Sequence, residues 1–134
     1  MNQIKNIFTS INSSNIYWKD TNCNIFVTGM CGNNNHLITS KLSTLKVKQI
    51  KGSTRCTLAL TQNGEVYSIG SSHYGSHGHG PFNTKFEFCR IDAFNQYKIS
   101  QIACGVQYTI CLDTHGRVWS MGYNIDGQCG LGHR

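Results

Sequence analysis

With 134 residues, 39% of them hydrophobic, the chain has apolar material for one ordinary domain and contains no apolar run long enough to cross a membrane as a helix. A formal charge of +6 favours acidic partners without naming one. Seven cysteines, odd in number and with no secretory leader in the opening Met1-Asn2-Gln3-Ile4-Lys5-Asn6-Ile7-Phe8, argue against a disulfide framework and for reduced core thiols in an intracellular chain, cytoplasmic or nuclear.

Residues 1–39 are polar, with Asn12, Asn15, Asn22, Asn24 and the run Asn33-Asn34-Asn35, and read as long turns around one recognisable strand. That strand, Ile25-Phe26-Val27-Thr28-Gly29, lies 41 positions before Val66-Tyr67-Ser68-Ile69-Gly70 and reads as a worn copy of it, without the glycines that follow the later one. Next, Lys41, Lys46, Lys48 and Lys51 alternate loosely with Leu42, Leu45, Val47 and Ile50, a period of two that predicts a strand with one wetter side. Such a strand is either a solvated edge that uses lysine to discourage pairing or a basic surface for an acidic partner. No aromatic residue is interleaved, which disfavours a nucleic-acid platform.

Thr57-Leu58-Ala59-Leu60 then leads through Gln62-Asn63-Gly64 into Glu65-Val66-Tyr67-Ser68-Ile69. Asn-Gly between two apolar runs predicts a hairpin, since both residues tolerate positive φ. The first of these strands carries apolar residues on both faces and is expected to be covered by a sheet on each side. A glycine run follows at Gly70, Gly75, Gly78 and Gly80, and the same spacing recurs at Gly122, Gly127, Gly130 and Gly132. Glycine at this density predicts tight turns or close backbone approach. The spacing reverses the order of a dinucleotide-binding loop and no helical pattern follows it, so no cofactor is expected.

The segment from Ile102 to Gly132 is a complete repeat unit. Sliding the chain by 52 positions lays Ile50, Thr57, Leu60, Gly64, Val66, Ser68 and the four glycines Gly70 to Gly80 onto Ile102, Thr109, Leu112, Gly116, Val118, Ser120 and the four glycines Gly122 to Gly132. A period of this length belongs to repeat architectures. Residues 1–39 form a degenerate first repeat with a polar N-terminus, 40–90 a second, and 91–134 a third that stops before the next unit.

His73, His77 and His79 with Cys89 offer zinc-ligand types, but their spacing matches no finger and contains no C-x-x-C, so the histidines read as solvent-exposed turn residues and no metal is expected. Of the six acidic residues, Asp113 sits in a hairpin turn and Asp126 in the glycine run, both structural positions for aspartate. No catalytic constellation emerges.

Ile102-Ala103-Cys104-Gly105, Thr109, Leu112, Gly116-Arg117-Val118-Trp119-Ser120-Met121-Gly122, Asn124, Gly127-Gln128 and Gly130-Leu131-Gly132 together resemble the repeat of the regulator of chromosome condensation family. The resemblance implies an all-β fold of antiparallel four-stranded blades in an incomplete β-propeller. It departs from the family pattern at Tyr108 and Cys56, where a histidine is usual, and at His77 and His79, where leucines are. Propellers close rings of about four to eight blades, so three units require further blades in cis or in trans.

The resemblance implies a non-catalytic module that binds a protein partner, either a small GTPase or another acidic surface. The alternatives are nucleotide exchange on a Ran-type GTPase and the substrate-recruiting part of a ubiquitin ligase. Exchange would need a wedge, for which the one candidate is the connection from Pro81 to Tyr97 with Phe82, Phe86, Phe88 and Phe94; the competing reading is an outer strand. Candidate partner contacts are Lys46, Lys48 and Lys51 on the basic strand and His73, Tyr74, Tyr123 and Asp126 in the glycine-rich turns.

Overall fold

Gly64 takes φ 82° and lets its amide donate to Thr61 O at 3.1 Å, closing the predicted Asn-Gly hairpin; Gly116, 52 positions on, takes φ 81° and donates to Asp113 O at 3.2 Å. Each hairpin joins two antiparallel strands of its own sheet. The computed structural model describes residues 4–9, 16–20, 25–28, 30–31, 34–35, 38–39, 46–52 and 55–132, with side chains described over 46–52 and 55–132 apart from Phe86. Gly29, Asn33, Lys41, Leu42 and Leu45 lie outside the described residues.

The first sheet joins β1 (Ile4–Thr9), β2 (Ile16–Asp20), β3 (Ile25–Thr28) and β6 (Ile38–Thr39) in that order, with a small ribbon of β4 (Met30–Cys31) and β5 (Asn34–Asn35) beside it. The second runs β7 (Val47–Gly52), β8 (Cys56–Thr61), β9 (Val66–Ser72) and β10 (Asn83–Arg90), each antiparallel to the next. After a 3-10 turn at Asp92–Phe94, the third joins β11 (Ile99–Cys104), β12 (Tyr108–Asp113) and β13 (Val118–Gly122). The opening strands β1, β7 and β11 are neighbours, so the sheets radiate from one line as propeller blades do. Among the described residues no helix is long and apolar enough to cross a membrane.

Strand β8 is buried at every position, as its two-faced apolar pattern predicts. On the face toward the third sheet, Cys56, Leu58, Leu60 and Val66 meet Ile91, Phe94, Ile99, Ile102 and Cys111, with Cys104, Trp119 and Met121 around them. Ala59 and Ile69 lie on the other face, also fully buried. The five cysteines with described side chains, Cys56, Cys89, Cys104, Cys111 and Cys129, are free thiols. Burial pushes the Cys104 and Cys111 thiols up to about 12, so they stay protonated as small apolar fillers.

Two expectations are corrected and one choice is decided. The period of two in the lysine strand is broken by a bulge between Val47 and Gln49, so Lys48 and Lys51 are exposed three positions apart and Lys46 precedes the strand at φ 46°. The connection from Pro81 to Tyr97 takes the outer-strand reading that the sequence favoured over a wedge: β10 pairs with β9 at both its ends and the 3-10 turn delivers Phe94 to the core. The turn histidines are not uniformly solvent-exposed: His77 is fully buried and His79 half-buried, leaving only His73 exposed. His77 is drawn inward because Ser68 Oγ donates to its carbonyl at 2.6 Å and its Nε2 sits 2.7 Å from Asn83 O.

Candidate functional site

Strand ends decide which turns meet. The link from β7 to β8, the turn after β9, the link from β11 to β12 and the turn after β13 all emerge at one end of the second and third sheets. At each sheet a glycine seals this end: Gly70 at φ 109° passes beneath Arg55 O and Gly122 at φ 114° beneath Gln107 O, positions where a Cβ would overlap the carbonyl. The next amide then turns back, Ser71 N donating to Arg55 O at 3.0 Å and Tyr123 N to Gln107 O at 2.9 Å.

Between these turns lies a depression of about 380 Å³ lined by Arg55, Ser71, His73, Tyr74, Val106 and Gln107 among others. A second, of about 440 Å³, shares Tyr74, Val106 and Gln107 with it and continues past Tyr108 and Tyr123 to Gln128. The two form one trough across the boundary between the sheets. Tyr74 and Tyr123, one from each sheet, pack edge to face with ring centroids 4.7 Å apart. Arg55 Nη1 donates to His73 Nε2 at 3.3 Å, and the other side of the His73 ring region meets Phe82, edge to face at 5.6 Å. Asp126 stands at the far end, where its Oδ2 accepts from Gln128 Nε2 at 3.4 Å.

Of the residues proposed from sequence, His73, Tyr74 and Tyr123 come together here and Asp126 flanks them. The lysines do not join them as a patch. Lys46 lies at the opposite end, beside the Asn63-Gly64 turn, where its carbonyl accepts from Gln62 N at 3.0 Å. Lys48 reaches across to the third sheet and donates to Ser100 O at 3.2 Å, while Lys51 stands exposed on the inner edge strand. Arg55, Val106 and Gln107 were missed. Arg55 and Gln107 are 52 positions apart, so the repeat offset could have placed them in equivalent turns.

The arrangement offers recognition rather than bond chemistry. Among the described residues no group of three or more histidine, cysteine or acidic side chains is placed to hold a metal. The histidines are divided, with His77 and His79 rings 5.3 Å apart and His73 turned to Arg55 and Phe82. Burial holds the His77 and His79 imidazoles below their ordinary value, which keeps them neutral.

The opposite end is built around Asp113. Its Oδ1 accepts from His115 N at 2.8 Å and Arg117 N at 3.0 Å, and its Oδ2 from Arg117 Nε at 2.6 Å and Trp119 Nε1 at 3.2 Å. The Arg117 guanidinium also covers the Tyr97 ring at 4.8 Å. This is a structural fastening of the third hairpin.

Comparison with known proteins agrees with this geometry. The model of the regulator of chromosome condensation (RCC1) repeat matches residues 63–112, and a second model of that repeat matches 99–128. The chain is 42% identical over 77 residues to the ultraviolet-B receptor UVR8 of Arabidopsis thaliana, covering 57% of this chain and 18% of the receptor. It is 32% identical over 92 residues to the human RCC1-like G exchanging factor-like protein, covering 66% of this chain and 20% of that protein. Prp20p from Saccharomyces cerevisiae, whose structure was described together with its binding to Gsp1p and histones, superposes with a TM-score of 0.82 at 17% identity over 98% of this chain and 36% of its own. The chain thus spans about a fifth of these curated relatives. Hairpins sealed by left-handed glycines and recurring at 52 positions agree with these matches, and residues 63–128 carry repeats of the regulator of chromosome condensation family.

Proposed function

We propose that the chain is a protein-interaction module in which 1–39, 40–90 and 91–134 are consecutive blades, and that the trough between the second and third blades is its contact surface. The observation that carries this is the edge-to-face pair of Tyr74 and Tyr123 beside Arg55, an aromatic and guanidinium grouping in a cleft, with Tyr74 and Val106 each 50% exposed. Tyrosine and arginine in concave, desolvated settings supply most of the energy in protein interfaces. The test is affinity capture with the intact chain and with Tyr74→Ala and Tyr123→Ala, read by quantitative mass spectrometry. A protein retained by the intact chain and lost from both variants supports the reading; identical retained sets contradict it.

The propeller reading also supplies a second class of partner, a further blade in cis or in trans. The second sheet holds the third through Gly64 O, which accepts from Ile99 N at 2.9 Å, through Gln49 Oε1, which accepts from Ile102 N at 3.1 Å, and through Ser76 O, which accepts from Thr109 Oγ1 at 2.9 Å. Moved 52 positions, those acceptors are Gly116 O, Gln101 Oε1 and Gln128 O, on the side of the third sheet that also carries Ile110, Leu112 and Val118. Val118 is 68% exposed where its counterpart Val66 is 1% exposed. A sheet of the same repeat is complementary to that surface.

Nucleotide exchange on a Ran-type GTPase is the second reading, favoured by the resemblance to the G exchanging factor-like protein and to Prp20p. With 81–97 occupied by β10 and the 3-10 turn, the insertion would have to come from elsewhere. Release of labelled nucleotide from a panel of small GTPases at the spontaneous rate would end it.

A further inference from the structure

The trough has a charge order that selects what enters it. Its lining among the described residues contains a guanidinium at Arg55, an imidazole at His73 and the hydroxyls of Ser71, Ser72 and Ser76, and no carboxylate. The Arg55 guanidinium leans on His73 by a hydrogen bond of 3.3 Å, and since arginine can only donate, His73 Nε2 is the acceptor. Neither residue is among the salt bridges of the described part of the chain, which are Arg90 with Glu65 and Arg117 with Asp113. At the other end the sign reverses, with Asp126 exposed beyond Gln128. Between the two ends the walls are Tyr74, Val106 and Tyr123.

We propose that the trough binds an internal acidic segment of a partner protein, its Asp or Glu side chains at the Arg55 and His73 end and an apolar or aromatic side chain following toward Tyr74 and Tyr123. This rests on the reading of the trough as the interaction surface and adds the chemistry of its occupant. A planar guanidinium pairs with a carboxylate through two parallel hydrogen bonds. The two depressions adjoin and share Tyr74, Val106 and Gln107, which suits an extended segment lying across both. Asp126 at the far end repels a second acidic block there and fixes the direction in which the segment lies. The overall charge of +6 favours the encounter.

The probe is a fluorescein-labelled, amidated peptide with a glutamate block followed by leucine and tyrosine, titrated with the full chain and read by fluorescence anisotropy. Its glutamine counterpart and a labelled oligothymidine are run beside it. The glutamate peptide is expected to bind, to weaken with added salt, and to lose about tenfold in affinity with Arg55→Gln. Lys46→Gln, at the opposite end, is expected to leave binding unchanged. Thermal melting of each variant separates lost binding from lost folding. Equal binding of the glutamine peptide, with sensitivity to Tyr74→Ala, would overturn the acidic preference and leave the trough as an interaction surface. Binding of neither peptide, or of oligothymidine alone, would overturn the proposal outright.

Discussion

Asp113 and His77 show how one residue carries information that composition hides. Burial alone would push the Asp113 carboxyl up, but hydrogen bonds from the Arg117 backbone and guanidinium, Trp119 and the His115 backbone overcome it and hold the group well below the usual carboxylate range. A depressed folded value means that its contribution is complete above the unfolded value of 3.8 and is lost as pH falls below that toward the folded one. Asp113→Asn should therefore lower the melting temperature at neutral pH and flatten its decline in acid below 3.8, which calorimetry from neutral to strongly acidic buffer would show. His77 and His79 act at a higher window. Because burial lowers both, the unfolded chain binds more protons than the folded one just below 6.5, so stability falls as pH drops through that value. Restoring the family's usual leucine by His77→Leu should reduce that slope in melts between neutral and mildly acidic pH. The turn position of Asp113 was legible in the sequence, since aspartate before glycine punctuates hairpins. The burial of His77 was not, because it depends on Asn83 in a strand that begins after the turn.

Elements repeat more faithfully than residues do. Ser68 Oγ donates to His77 O at 2.6 Å and Ser120 Oγ to Cys129 O at 2.7 Å, while Gly78 N donates to Gly75 O and Gly130 N to Gly127 O, each at 2.9 Å. Each bond is its counterpart moved by 52 positions, although His77 and Cys129 share no chemistry beyond their backbone. This is why the repeat could be read: backbone geometry demands glycine and small hydroxyls, and tolerates nearly anything between them. Gly70→Ala should cost more than about 3 kcal/mol, because left-handed strain adds to overlap with a fixed carbonyl. Gly116→Ala should cost only about 1 kcal/mol, as no heavy atom lies within 4 Å of the added Cβ. Urea denaturation of the two variants distinguishes strain with crowding from strain alone. His73, Tyr74 and Tyr123 of the trough were named from sequence, and Arg55, Val106 and Gln107 escaped it for the complementary reason. The trough is made by side chains from turns of two different sheets, and the offset places those turns without saying which residues will face each other.

At the scale of the molecule, the exposed side of the third sheet repeats a buried side of the second. Val66→Lys puts a charge in the core between two sheets and should destabilise by about 3 kcal/mol or more. Val118→Lys, the same substitution one repeat on, should leave the melting temperature of the chain nearly unchanged and raise its monomeric fraction in sedimentation, since it interrupts an exposed apolar surface. Both contrasts, and the trough, depend on the second and third sheets being packed as adjoining blades. Residue-resolved amide hydrogen exchange tests that packing most directly, through Ile99 and Ile102, whose N–H groups are donated across the sheet boundary to Gly64 O and Gln49 Oε1. They should exchange as slowly as the amides of β8, and Gln49→Ala should release Ile102 selectively. Exchange of both at the rate of an open strand edge, with β8 still protected, would contradict the stacked blades and everything built on them.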